Sequence, residues 1–246
     1  MENYKQKIDE YNEQLEGKSA KEILSFFDTL LGKDLVLASS LGAEDQVLTQ
    51  LFTSITKDAR VFVLDTGRLH QETYDVMDKS RRKYRLTYEV YFPLSESVQE
   101  MVATNGPNLF YDSIESRKLC CGIRKVEPLG RALKTCKAWI TGLRREQAVT
   151  RKSLPIVEWD DGHQLLKINP LATWTEEDIW SYIKDNLIPY NDLHDKGFPS
   201  IGCAPCTRAI EKGEDVRAGR WWWESPELKE CGLHVKDGKL IRKRES

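Results

Sequence analysis

Residues 34–52 read DLVLASSLGAEDQVLTQLF, and residues 60–67 read RVFVLDTG. In both, a short apolar, β-rich run passes into a turn of hydroxyl, glycine or acidic residues. A segment with helical spacing follows each turn: AEDQVLTQLF in the first case and HQETYDVMDKSRRKY (70–84) in the second. Strand, polar turn, helix, repeated in that order, is the signature of βαβ units and a largely parallel sheet covered by helices on both faces. LTYEVYFP (86–93) and KAWITGL (137–143) read as two further strands.

Outward from that nucleus the pattern changes. Before it, KSAKEILSFFDTLLG (18–32) offers Ser19 as a helix N-cap, with Glu22 three residues on to complete a capping box and Gly32 as the stop. After it, PIVEWDDGHQLLKINP (155–170) places DDGH between two β-rich runs, which predicts a hairpin added to the sheet. Thr175 is expected to cap a helix through EEDIWSYIKDNL that Pro189 ends. Beyond Gly197 the chain is rich in Gly, Pro, Cys, Arg and Trp, a composition that builds sites rather than core layers. The expected organisation is a helical segment over 1–32, an α/β nucleotide-binding domain over 33–196 and a C-terminal segment over 197–246.

Composition narrows the function classes. The 246 residues carry a formal net charge of −2, which argues against broad binding to nucleic-acid backbone or to a membrane surface. No apolar run is long enough to span a bilayer, and the charged N-terminus lacks the apolar core of a secretory leader. A cytoplasmic location is expected, so the six cysteines read as metal ligands or redox groups before they read as disulfides.

Four of them form two close pairs, Cys120–Cys121 in KLCCGIRK and Cys203–Cys206 in IGCAPCTR. Two pairs from distant segments point to one shared metal centre, with zinc and an iron–sulfur cluster as candidates. Neighbouring helical residues splay their side chains, and a cubane offers each sulfur its own iron, so the spacing favours a [4Fe–4S] cluster. Cys136 has no partner and reads as a core residue. Cys231 in ELKECGLHVK is different, a lone thiol among charged residues with His234 three positions on.

Anion recognition is the second theme. The turn after the first strand presents Ser39, Ser40 and Gly42 where a helix begins, although it lacks the Lys of a Walker loop. Arg144, Arg145 and Arg151 follow a strand end, where open parallel sheets bind ligands. Lys125 lies four residues beyond Cys121, and RAGRWWWE adds Arg217 and Arg220. Gathered in a chain of negative net charge, these cations suggest a small polyanion. The Trp221–Trp223 run reads as packing.

The paired cysteines, the terminal KECGLH, and the motifs SSLGAEDQ, LDTGRLHQET, GLRREQAVTR and PLATWTEEDIW together resemble the assimilatory adenylyl-sulfate reductases of the phosphoadenylyl-sulfate reductase family. The resemblance runs from about Leu35 to His234. It implies an adenine-nucleotide α-hydrolase-like fold with the serine turn as a modified PP-loop. It also implies a [4Fe–4S] cluster on Cys120, Cys121, Cys203 and Cys206, with Lys125 between cluster and substrate. Arg151, Arg217 and Arg220 would surround the phosphosulfate, with Arg144 and Arg145 nearby. Cys231 becomes the nucleophile that takes the sulfonate, and thioredoxin or a similar dithiol the donor that releases it. A mobile tail suits a thiol that must meet both. Three rivals stand beside this reading: reduction of 3′-phosphoadenylyl sulfate, a PP-loop tRNA-thiolating enzyme, and a zinc-stapled nucleic-acid-binding module. Whether the chain forms a homo-oligomer is left open by the sequence.

Overall fold

The computed structural model describes residues 4–147 and 151–225. Six strands form one sheet: β1 (Leu35–Ser39), β2 (Arg60–Leu64), β3 (Tyr88–Tyr91), β4 (Ala138–Ile140), β5 (Val157–Asp160) and β6 (Leu165–Ile168). Their order across the sheet is β3-β2-β1-β4-β6-β5. Every pairing is parallel except β5 with β6, the expected hairpin. The chain runs outward from β1 through β2 to β3, then returns to place β4 on the other side of β1. That reversal makes a crevice beyond the C-terminal ends of β1 and β4, where open parallel sheets bind their ligands.

Burial on both faces explains the continuous apolar runs. Leu35, Leu37, Val61, Val63 and Ile140 face a core shared with helices α1 (Ile8–Leu15), α2 (Ala20–Leu31) and α3 (Ala43–Ile55). The alternate residues Val36, Phe62 and Trp139 face the other way, onto Leu129, Ala132 and Leu133 of helix α7 (Glu127–Leu133). Helix α4 (Gln71–Tyr84) joins β2 to β3, and α8 (Glu176–Asp185) follows the hairpin. The capping box at Ser19 and Glu22 is present, and Thr175 forms a second one with Asp178. The last helix stops at Asp185, short of the expected end at Leu187, because Leu187 turns to a left-handed φ of 52°.

Between β3 and β4 the chain builds α5 (Ser95–Asn105) and then one continuous helical rod. The rod is α6 (Ile114–Cys121), a π-helical stretch over Gly122–Val126, and α7. Beyond Asp185 the described residues contain only short 3-10 turns and two isolated bridges, Leu69 with Cys203 and Thr207 with Arg220. A buried ion pair pins this segment to the rod. Arg117 donates to both carboxylate oxygens of Glu224 at 2.7 and 2.9 Å, and the two side chains are 0 and 4 % exposed. Among the described residues no helix is long and apolar enough to cross a membrane.

Candidate active site

The crevice is a cavity of about 370 Å3. Its floor is the serine turn, with Ser39, Ser40 and Gly42 all lining it. Several of the turn's donors are already engaged, however. The N–H and the hydroxyl of Ser40 both donate to Asp45 Oδ2, at 2.7 and 2.6 Å, and the Gly42 backbone adds a further hydrogen bond to that carboxyl. The Leu41 N–H donates to Ser39 Oγ at 3.1 Å, with Leu41 at a φ of 63°. Asp45 is buried, and burial pushes its pKa up to about 6 against the lowering effect of the Ser40 bonds. Gly142, just past β4, packs directly on it: a Cβ there would lie 2.5 Å from Asp45 Oδ1 and 2.9 Å from Glu44 Cβ.

Cations line the crevice on two sides. Near Cys203 and Thr66 stand Lys125 and Arg220, and Arg217 also lines the crevice. Arg220 lies across Gly202, where a Cβ would come within 2.6 Å of its Cζ, and its guanidinium stacks on the Trp221 ring at 4.9 Å. On the β4 side stand Arg144 and Arg151. Arg144 is 6 % exposed and paired with Glu44 at 2.9 Å and Glu146 at 3.4 Å. Arg151 donates to Gln147 Oε1 at 2.7 Å, and the same glutamine donates to Glu44. Arg145 is not brought in: its Nε donates to the Leu154 carbonyl at 2.9 Å, away from the cavity wall.

The four paired cysteines meet. Cys120 and Cys121 at the end of α6 and Cys203 and Cys206 from the C-terminal segment are free thiols, all buried in one cluster with Phe110 and Trp221. They line a second, smaller cavity, whose wall includes the basic side chains Arg68, Arg124 and Lys125. Burial raises the Cys120 thiol and lifts Cys206 to about 12. At Cys203 burial also acts upward, but Lys125, the Thr66 hydroxyl at 3.3 Å and Arg220 outweigh it and leave the thiol below its usual value.

Among the described residues no three Cys, His, Asp or Glu side chains converge as a site for a metal ion. Four thiols around a shared cavity are nonetheless a donor set of the type that iron–sulfur clusters use. Lys125, Cys203 and Trp221 line both cavities, so one wall separates the thiols from the crevice. Trp221 therefore does more than pack the tail. Lys125 reaches that wall from the π-helical stretch, a distortion often found at functional sites.

Cys136 behaves as a core thiol, half-buried against the α7 cluster and pushed up to about 12 by burial. Cys231 and His234 lie outside the described residues. Sequence reasoning missed Glu44, Asp45 and Gly142, whose roles depend on contacts between turns about a hundred residues apart. It also missed His194, which lines the crevice edge-on to Trp180 at 5.1 Å, its pKa lowered by burial.

Comparison with known proteins supplies the remaining evidence. A family model described as the phosphoadenosine phosphosulfate reductase domain matches residues 34–209. A curated relative from Allochromatium vinosum, named adenosine 5′-phosphosulfate reductase, is 53% identical over 203 residues, 82% of this chain and 79% of that protein. One of the same name from Burkholderia cepacia is 54% identical over 198 residues, 80% and 79% of the two chains. Among solved structures, the phosphoadenylyl-sulfate reductase of Candida auris in a phosphate complex aligns with a TM-score of 0.71 at 30% identity, covering 82% of this chain and 96% of that one. The FMN adenylyltransferase of Candida glabrata shares the fold, with a TM-score of 0.53 at 14% identity over 91% of this chain and 82% of its own.

Proposed function

The chain belongs to the phosphoadenosine phosphosulfate reductase family, and from that premise we propose the reaction it carries out. It reduces adenylyl sulfate to sulfite and AMP in sulfate assimilation. The observation that carries this reading is the shared wall: a nucleotide-sized crevice at the topological switch point, lined by Lys125, Arg217 and Arg220, that shares Lys125, Cys203 and Trp221 with the cavity of four buried thiols.

The substrate's phosphosulfate lies against those three cations, which offset its charge and that of the departing phosphate. The Cys231 thiolate attacks the sulfonyl sulfur. An S–S bond forms, the bond from that sulfur to the bridging oxygen breaks, and its electron pair leaves with AMP. The product is a Cys231 thiosulfonate. A thiol of a thioredoxin-like dithiol protein then attacks the Cys231 sulfur and releases sulfite. The donor's second thiol frees Cys231, and the donor leaves oxidised as a disulfide. Cys120, Cys121, Cys203 and Cys206 would hold a [4Fe–4S] cluster, which would supply a polarisable charge next to the crevice, while Lys125 lines both cavities. The buried free thiols are in keeping with a reducing, cytoplasmic location.

The test uses the full-length protein with adenylyl sulfate and no reductant. Cys231 should gain the mass of one sulfonate as one AMP is released, and reduced thioredoxin should then liberate sulfite. Cys231→Ser should bind nucleotide but form no adduct. Sulfite production by that variant at the parent's rate would refute the mechanism.

A further inference from the structure

The loop after β4 turns on one uncharged side chain. Gln147 lines the crevice, and its amide makes four hydrogen bonds. Its Oε1 accepts from Arg151 Nη1 at 2.7 Å and from the Arg144 N–H at 3.1 Å. Its Nε2 donates to Glu44 Oε1 at 3.0 Å and to the Gly142 carbonyl at 3.3 Å. Two donors on the oxygen and two acceptors on the nitrogen use the whole capacity of a primary amide and leave it one orientation. The backbone adds to this. The Gln147 N–H donates to the Arg144 carbonyl at 3.3 Å, closing the 3-10 turn Arg145–Gln147.

The loop that carries Gln147 is itself seated on α3, by Gly142 against Asp45 and by Arg144 on Glu44 at 2.9 Å. Gln147 therefore passes the position of α3 on to a guanidinium of the crevice wall, four residues further along the chain. Fixing an arginine side chain costs rotamer entropy, and a clamp present before the ligand arrives removes that cost from binding. We propose that Gln147 is the positioning residue for Arg151: a neutral clamp that holds the guanidinium on the crevice wall for the phosphate of a bound nucleotide. This rests on the reductase reading above, in which the crevice takes a nucleotide. The neighbours require the clamp to be neutral. A glutamate at this position would face the Glu44 carboxylate across the 3.0 Å now spanned by an N–H bond, and the two would repel. It would also pair its charge with Arg151 in competition with the ligand. The amide bonds to both neighbours and adds no charge.

A double-mutant cycle on the full-length chain tests this, with AMP as the probe and calorimetry as the readout. Gln147→Met removes all four bonds at similar volume. It should weaken AMP binding about tenfold, the scale of one lost charge-assisted hydrogen bond. Arg151→Met should weaken binding by about tenfold or more for the same reason. In the Arg151→Met background the Gln147 substitution should change binding less than about twofold, because the residue it acts through is gone. Gln147→Glu keeps an acceptor for Arg151 but should still weaken binding about fivefold through its charge. Thermal melts check folding, and should Gln147→Met fail to fold, the same cycle is read from Gln147→Glu. An equal loss in both backgrounds would overturn the proposal and leave the amide as a staple of the loop. So would an Arg151→Met or a Gln147→Glu variant that binds AMP like the parent. Failure of the reductase reading is a separate result, since it appears as no sulfite from adenylyl sulfate in the parent.

Discussion

Gly142→Ala is the sharpest test of how the crevice is assembled. The added methyl would lie 2.5 Å from Asp45 Oδ1, 2.9 Å from Glu44 Cβ and 3.5 Å from the Asp45 backbone nitrogen. Glu44 Cβ is the first atom of its side chain and cannot swing aside, and the Asp45 carboxylate is held in place by its two bonds from Ser40. The loop after β4 must retreat from the start of α3, and the Arg144–Glu44 pair, 2.9 Å long and nearly buried on the arginine side, is stretched with it. Overpacking of this kind costs about 1–3 kcal/mol, which lowers the melting temperature by roughly 2–12 °C for a chain of this size. The same retreat widens the crevice beside the serine turn, so the Kd for AMP should rise about tenfold. Gly130→Ala is the control. It sits in α7, nothing lies within 4 Å of its Cβ position, and its helix should gain about 0.5–1 kcal/mol. Thermal melts and calorimetry read both effects. Gly142→Ala melting within 1 °C of the parent with unchanged AMP affinity would refute the reasoning.

Anaerobically purified protein should carry iron and acid-labile sulfide in cubane proportion; Cys121→Ser or Cys206→Ser should abolish the brown colour while Cys136→Ser keeps it, and stoichiometric zinc without sulfide would sink the cluster. Arg217→Ala and Arg220→Ala should weaken nucleotide binding in calorimetry without loss of iron, because they remove charge-assisted contacts to the phosphosulfate. Arg117→Met should destabilise the fold by about 3–5 kcal/mol in denaturant melts, since it strands the buried Glu224 carboxylate. Asp45→Asn should be more stable than the parent above pH 6, by about 3 kcal/mol at most. The folded pKa of Asp45 is raised from 3.8 to about 6, so its burial cost is full above pH 6 and fades as pH falls toward 4. Melts across that window should show the two proteins converging at the acid end.

What could be read from the chain was what local chemistry dictates. The runs LVLAS, RVFVL and AWI are apolar on both faces because the sheet is covered on both sides, so their strands are visible without neighbours. Ser19 with Glu22, and the DDGH turn, are equally local signals. Helix α5 is not legible in this way: only Met101 of its residues is buried, so it carries no apolar stripe to betray its period. The π-helical stretch that aims Lys125 is likewise silent in sequence, since GIRKV has no marker for an extra residue per turn.

The candidate site divides along the same line. Residue type alone picked out the four paired cysteines and most of the cations, because few other roles suit thiol pairs and arginines near strand ends in such a chain. Their partners were invisible. Arg144 and Arg145 are neighbours with identical side chains, yet one is buried on Glu44 at the crevice and the other caps the Leu154 carbonyl outside it. The serine turn shows the limit most clearly. Its hydroxyls, glycine and helix start spell an anion site, and the turn does bind an anion, supplied five residues later by Asp45. An acidic residue in the first turn of a helix reads as routine dipole compensation. Only the contact with Gly142, from a strand neighbouring in space but about a hundred residues away, shows that this carboxylate is clamped in place. The site is thus defined as much by the carboxylate the turn already holds as by the cations that line the crevice.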